Sequence, residues 1–276
     1  MSLLPPVFID AVIAIGNPTT TDVQWVGSGF LYGAKEPMPS DELEGSAQKY
    51  SLWLITNRHV VVGLNNPVIR FDASDSGQSI QIELATVAEH PSWTCHSDPE
   101  FDVAAIRLNI NVVKRINAKL AFFEEEKSAA TLKDLETLGV HEGNGGFILG
   151  FPLGLVDSTT GSVIARKSSI ARIRNAYAGT SRVILVDGSV FPGNSGGPAI
   201  IHPEPFVITG TSPIQNAYLI GIVTSYVTYR DVAVSPKTGQ QRVVFEENTG
   251  LTNVLSVDCI NEVILEAKAA ITSRRP

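Results

Sequence analysis

Cysteine is nearly absent. Cys95 and Cys259 are the only two in 276 residues, too few for a disulfide framework and without the C-x-x-C spacing of zinc or dithiol chemistry, so both are expected to be ordinary thiols. Charge is scarce too. Charged residues make up 18% of the chain, and 21 Lys and Arg against 28 Asp and Glu leave a formal net charge of −7. With no basic tract to neutralise phosphates, nucleic acid is not an expected partner. Long hydrophobic runs are also missing: the most apolar opening, Phe8 to Gly16, already contains Asp10, and no window approaches the ~18 uninterrupted apolar residues of a membrane-spanning helix. The first basic residue is Lys35, which leaves no charged region of the kind that begins a secretory signal. The cytoplasm is therefore the default expectation for location, and the periplasm or secretion is expected if a leader was removed. Histidine is limited to five residues. His90, His96, His141 and His202 lack metal-ligand spacing and are expected to be structural or surface residues, so no metal site and no cofactor are expected. No repeat of about 20 to 50 residues is found, which excludes solenoids and propellers.

Apolar residues, by contrast, are 43% of the chain, alongside 23 Gly and 16 Pro. That balance describes a loop-rich globular protein with a real core and excludes disorder. Short runs rich in β-branched and aromatic residues, bounded by Gly, Pro, Asn or Ser, recur along the whole length. They are Ala11 to Ile15, Gln24 to Tyr32, Ser51 to Thr56, Val68 to Phe71, Ser79 to Leu84, Val103 to Leu108, Gly146 to Phe151, Ser162 to Ile173, Arg182 to Val186, Pro198 to Ile201 and Ala217 to Val227. Ser235 to Gln241 reads as the turn of a hairpin between Tyr226 to Val234 and Arg242 to Glu246, and Gly33 to Lys49 as a polar surface excursion. Helical periodicity is confined to Thr131 to Leu138 and to Ser256 to Thr272, where Ile260, Val263, Ile264, Ala267 and Ile271 share one face after a Ser256 N-cap. The expected fold class is all-β with a C-terminal α-helix.

Three segments carry candidate chemistry. In Pro192-Gly193-Asn194-Ser195-Gly196-Gly197-Pro198, small and turn-forming residues surround one Ser, which lets the backbone bend sharply and approach a substrate closely. A plain tight loop would look the same. His59 follows the apolar strand that ends in Leu54-Ile55-Thr56; alone, it reads more readily as a structural histidine than as a base. Asp102 stands at the entry of the apolar run Val103 to Leu108. A carboxylate buried there needs a partner, because the unpaired charge costs several kcal/mol, although a strand-end Asp can also face solvent. The G-x-S-x-G pattern of Gly193 to Gly197 fits the nucleophile elbow of α/β-hydrolases as well, but only His202 follows Ser195 and no acid fits between them, so that chain order fails.

Read together, the segments occur in the order His, Asp, Ser, with Asp102 43 residues after His59 and Ser195 93 residues after Asp102. In this the chain resembles the chymotrypsin-like (trypsin-fold) serine peptidases, and within them the bacterial HtrA-type protease domain. The blocks that carry the resemblance are Gly27-Ser28-Gly29-Phe30, Thr56-Asn57-Arg58-His59-Val60-Val61, His90-Pro91, Gly150-Phe151-Pro152-Leu153-Gly154, Gly193 to Pro198 and Leu219-Ile220-Gly221-Ile222-Val223-Thr224. The PDZ domain that follows the peptidase in HtrA-type proteins has no room here, so peptide-gated control and that family's oligomer are not carried over.

The resemblance implies two packed six-stranded antiparallel β-barrels, residues 1–125 holding His59 and Asp102 and residues 126–276 holding Ser195, the specificity pocket and the C-terminal helix. It implies a serine endopeptidase acting on polypeptide substrates, with catalytic His59, Asp102 and Ser195. The backbone N–H groups of Gly193 and Ser195 would form an oxyanion hole. Substrate would be bound by Ser189, Val190, Thr224, Ser225 and Tyr226, with Thr224 also donating to Asp102. The uncharged Ser189 at the pocket base and Tyr226 at its entrance imply cleavage after small or medium aliphatic residues, unless Asp187, two residues from Ser189, reaches the pocket. Asn194 replaces the Asp that pairs with a newly cut N-terminus in zymogen-type relatives. The other reading is a catalytically silent peptide-binding module of the same fold.

Overall fold

The computed structural model describes residues 4–37, 48–74, 78–157, 163–206 and 208–273. The first part of the chain forms one sheet from β1 (Val12–Pro18), β2 (Val23–Lys35), β3 (Tyr50–Thr56), β4 (Val68–Asp72), β5 (Ser79–Glu83), β6 (Thr94–Cys95), β7 (Ala104–Leu108) and β8 (Phe123–Glu124). Its order is β5-β4-β1-β2-β3-β7-β6, with β8 added parallel to β2. Six of these strands are five residues or longer, while β6 and β8 have two residues each. The second part, β9 (Gly145–Gly150), β10 (Ile164–Arg172), β11 (Val183–Asp187), β12 (Pro198–Ile201), β13 (Tyr218–Val234) and β14 (Gln241–Ser256), closes into an antiparallel barrel in the order β10-β11-β14-β13-β12-β9.

Alternation explains the core. Side chains on one face of the first sheet, including Ile13, Ile15, Leu31, Leu54, Ile69 and Ile106, form one buried cluster. Ile148, Ile184, Val186, Ile201, Ile220 and Val254 fill the barrel. A third cluster lies between the two bodies and joins Phe30, Trp53 and Phe123 to Leu149, Leu219 and Leu255. Burying apolar surface at roughly 25 cal/mol per Å² makes such a shared cluster the main force holding the halves together.

Short helical turns interrupt the strands: α1 (Pro6–Asp10), α2 (Arg58–Val61), α3 (Leu84–Val87), α4 (Ile110–Arg115), α5 (Leu132–Thr137) and α6 (Arg174–Tyr177). Of these only α5 was legible in the sequence. Its Thr131 hydroxyl accepts from Asp134 N while the Asp134 carboxylate accepts from Thr131 N, a reciprocal cap that satisfies two otherwise orphaned donors. α2, α3 and α6 have four residues each, too short to show a 3.6-residue period. The last helix, α7 (Val257–Ser273), buries Val257, Cys259, Ile260, Val263, Ile264 and Ala267. It ties the two bodies together: Asn261 accepts from Tyr32 Oη at 2.7 Å, Glu266 from Ser97 N at 2.9 Å, and Glu262 from Arg182 at 3.0 Å.

Strand boundaries differ from expectation mostly by one or two residues. The exception is β14, which runs on past the expected Glu246 to Ser256 and pairs with β13 as a long hairpin, closed by Ser235 N to Gln240 O at 2.8 Å. Ser162 and residues 38–47 of the polar excursion lie outside the described residues.

Candidate active site

His59 and Asp102 meet because their strands are neighbours. In the antiparallel pairing of β3 with β7, Thr56 stands opposite Ala104, so the chain leaving β3 and the chain entering β7 lie side by side. His59 follows Thr56 by three residues in α2, and Asp102 precedes Ala104 by two. The Asp102 carboxylate then grips the histidine twice: one oxygen accepts from His59 N at 3.0 Å, and the other is paired with His59 Nδ1. Asn57 closes the arrangement, donating its side-chain N–H to Asp102 O at 2.6 Å. Burial alone would raise the Asp102 pKa, but the hydrogen bonds from His59 and the backbone of Arg58 outweigh it and hold the carboxyl below its ordinary value of 3.8. The side chain of His59 remains 51% exposed, so its far ring edge is open to the cleft.

Ser195 sits in the bend between β11 and β12. Phe191 O accepts from Asn194 N at 2.9 Å across Pro192 and Gly193, and Gly193 has φ +98°. Pro in the second position and a positive-φ Gly in the third make this a type II turn. Pro192 O accepts from Leu153 N at 2.6 Å. In a trans peptide N–H and C=O point opposite ways, so Gly193 N–H is turned away from Leu153. Among the described residues, neither Gly193 N–H nor Ser195 N–H has a protein acceptor.

The bend is clamped from both bodies. Ser28 N donates to Ser195 O at 2.9 Å, and the fully buried Ser28 hydroxyl donates to Gly193 O at 2.6 Å while accepting from Phe151 N at 3.0 Å. Close approach demands glycine: a Cβ on Gly193 would lie 2.3 Å from Phe151 O, and one on Gly196 2.0 Å from Ser28 O. Asn194, fully buried, accepts from Phe191 N at 3.0 Å, so the turn is locked from within itself.

A cavity of about 470 Å³ joins these parts. His59, Asp102 and Ser195 line it together with Val190, Phe191, Pro192, Val223, Thr224, Ser225, Tyr226 and Thr228. Among the described residues Ser195 Oγ makes no hydrogen bond to His59, and such bonds commonly tighten only when substrate enters. Two expectations need correction. The Thr224 hydroxyl donates to Asn253 O at 3.2 Å and not to Asp102, because the β13 irregularity at Val223/Ser225 turns it toward β14. Ser189 does not line the cavity, since it lies beside Gly250 on the way out of β11. Asp187 is exposed and pairs in register with Leu251, also outside the cavity lining.

Sequence reasoning missed Ser28 and Asn57 as working parts. The signal for Ser28 was a small polar residue between two glycines inside an apolar strand, where only tight packing explains the composition. Elsewhere, His96 packs edge-on against Phe101 and contacts Glu262 at 3.2 Å, and His202 packs on Phe147. Among the described residues no group of three or more His, Cys, Asp or Glu is arranged to hold a metal ion.

The family model for the trypsin-like peptidase domain matches residues 27–203. Among solved structures, the serine endoprotease from Yersinia pestis is similar over 96% of this chain and 66% of its own, with 15% identity and a TM-score of 0.52. This chain thus spans about two thirds of that one. Human heparin binding protein is similar over 96% of this chain and 93% of its own, with 10% identity and a TM-score of 0.50. At these identities the likeness shows a shared fold. No curated protein sequence matches the chain.

Proposed function

The chain belongs to the trypsin-like peptidase family, and from that premise we propose that it is a serine endopeptidase using His59, Asp102 and Ser195. A fold that also serves a heparin binding protein does not by itself imply turnover. The observation that carries the proposal is local: a His59–Asp102 pair and Ser195 line one cavity, beside two backbone N–H groups without acceptors.

In the first step Ser195 Oγ attacks the scissile carbonyl carbon, and the Oγ proton passes to His59 Nε2. Asp102, bonded to Nδ1, keeps that proton-accepting nitrogen free and stabilises the imidazolium that forms. The carbonyl oxygen becomes an oxyanion and accepts from Gly193 N–H and Ser195 N–H. The C–N bond then breaks, His59 returns its proton to the leaving amine, and water releases the acyl group by the same steps in reverse order. The type II turn of Pro192-Gly193 sets the Gly193 donor before substrate arrives.

Binding of an extended polypeptide follows from strand lengths. β12 has four residues and β13 seventeen, and pairing on the β12 side ends at Val223, whose N donates to Gly197 O and whose O accepts from Gly196 N, both at 2.9 Å. From Thr224 onward the cleft-side edge of β13 is free to accept a substrate strand. The cavity walls of Val190, Phe191 and Tyr226 are apolar or aromatic, which suits small or medium aliphatic side chains. Among the described residues no carboxylate besides Asp102 lines it. Because Asn194 is engaged with Phe191, no pairing with a cut N-terminus is needed for activity.

The test is hydrolysis of an unfolded protein substrate by wild type, Ser195→Ala and His59→Ala. Both variants are expected to fold normally and to lose roughly six orders of magnitude in kcat. Near wild-type turnover in either, with an unchanged melting curve, would exclude the assignment.

A further inference from the structure

The β13–β14 hairpin extends well beyond the barrel. From Ser225 to Thr249 every residue but Ser235 is exposed. Isolated two-stranded ribbons are marginal in water and need a third strand or a packing partner. This one leaves apolar side chains uncovered on both faces. Val232 and Val244 stand opposite each other on one face with the Arg230–Glu246 pair, while Ala233 and Val243 share the other with Tyr229 and Phe245. Tyr229, Val243 and Phe245 are about half exposed, at 58%, 48% and 54%.

The outer edge of β14 is available for pairing. β11 covers β14 from Leu251 onward, Gly188 N extends that cover by donating to Gly250 O at 2.8 Å, and the Asn248 side chain donates to Val190 O at 2.7 Å; among the described residues no strand pairs with that edge from Gln241 to Glu247. An exposed edge of this length, with Val243, Val244 and Phe245 adjacent at its middle, is a template for another strand.

The sequence of that edge complements itself. When a strand pairs antiparallel with a two-fold copy, opposed residues must share a face, so the symmetry axis falls on one residue. Centred on Val244, the pairing sets Arg242 opposite Glu246 at both ends, Val243 opposite Phe245 twice, and Val244 against its own copy. Centring on Arg242 or Glu246 opposes like charges. Centring on Val243 or Phe245 sets Arg242 or Glu246 against Val244. Only the Val244 register matches opposite charges and apolar neighbours together. Glu246 already pairs with Arg230 at 3.3 Å on the same face, so it would lie between that arginine and the partner subunit's Arg242.

We propose that two copies of this chain associate through their β14 hairpin edges, two-fold about Val244, to form a four-stranded antiparallel sheet. The occupant of the uncovered edge is a second copy, selected by the Arg242–Glu246 complementarity. The association leaves the cleft-side edge of β13 open and does not depend on the catalytic assignment.

Light scattering coupled to size-exclusion chromatography tests this on the full chain. Wild type is expected at twice the mass of one chain. Arg242→Glu opposes Glu to Glu at both ends, and Glu246→Arg opposes Arg to Arg, so each variant is expected as a monomer. Mixing the two variants restores both ion pairs, and the mixture is expected to dimerise; the double variant R242E/E246R should dimerise alone. Circular dichroism that matches wild type shows that the variants fold, and Arg242→Glu should hydrolyse a short peptide at the wild-type rate. A monomeric wild type, an Arg242→Glu protein that dimerises as wild type does, or a mixture that stays monomeric would each overturn the proposal.

Discussion

Ser28→Ala tests how the two bodies are coupled at the nucleophile. The Ser28 side chain is fully buried, and its hydroxyl serves two backbone groups at once, donating to Gly193 O at 2.6 Å and accepting from Phe151 N at 3.0 Å. Alanine leaves both groups buried without that partner, at about 1–3 kcal/mol each. Partial relaxation of the 151–154 segment recovers some of this, so a net destabilisation of about 3 kcal/mol is expected. The kinetic effect comes from the same atoms. Gly193 O no longer has its anchor, the type II turn loosens, and the Gly193 donor is held less firmly. Complete loss of one oxyanion donor costs roughly 100- to 1,000-fold in kcat, so a loosened one should cost roughly tenfold to a hundredfold with little change in KM. Chemical denaturation gives the first quantity and steady-state peptide hydrolysis the second. A Ser28→Ala protein with wild-type stability and wild-type kcat would refute the clamp.

Three further outcomes follow from the same geometry. Gly193→Ala places a Cβ 2.3 Å from Phe151 O at a residue with φ +98°; steady-state kinetics should show roughly a hundredfold loss of kcat, and denaturation a loss of at least about 1–2 kcal/mol. The lowered pKa of Asp102 means that its ionised form stabilises the fold above its ordinary value of 3.8, and that this contribution disappears as pH falls through the lower folded value. Melting curves should therefore show Asp102→Asn less stable than wild type at neutral pH, with the gap closing only below about pH 3.8; a gap independent of pH would contradict the pairing. Profiling with a peptide library should give cleavage after small or medium aliphatic residues, and Asp187→Ala should leave the profile unchanged, because that side chain is exposed outside the cavity lining. Dominant cleavage after Arg or Lys that collapses in Asp187→Ala would show otherwise.

Much of this architecture was legible in the sequence, because its strands are bounded by strong local signals. Richness in β-branched and aromatic residues between Gly, Pro, Asn and Ser located eleven runs, and the Ser235 to Gln241 turn announced the hairpin. The single-turn helices at Arg58–Val61, Leu84–Val87 and Arg174–Tyr177 were not legible, since four residues cannot display helical periodicity. His59, Asp102 and Ser195 stood out because a charge or a nucleophile beside an apolar strand or among glycines is locally anomalous. Ser28 and Asn57 did not stand out, because their work is to hold atoms distant in sequence. Ser28 reaches Gly193 across 165 positions and Asn57 reaches Asp102 across 45. Thr224 shows the converse: it lines the same cavity as Ser195, but a local irregularity in β13 decides where its hydroxyl points.

The central claim is that Ser195 is an activated nucleophile, and covalent labelling by a fluorophosphonate probe, read by intact mass, measures it most directly. Phosphonylation requires a deprotonated serine facing an oxyanion site, and so depends on His59, Asp102 and the Gly193 and Ser195 donors acting together. A single adduct is expected on the wild-type chain, mapped by peptide mass to Ser195, absent in Ser195→Ala and strongly slowed in His59→Ala and Asp102→Asn. A folded wild-type protein that takes up no probe, or an adduct that persists in Ser195→Ala, would contradict it.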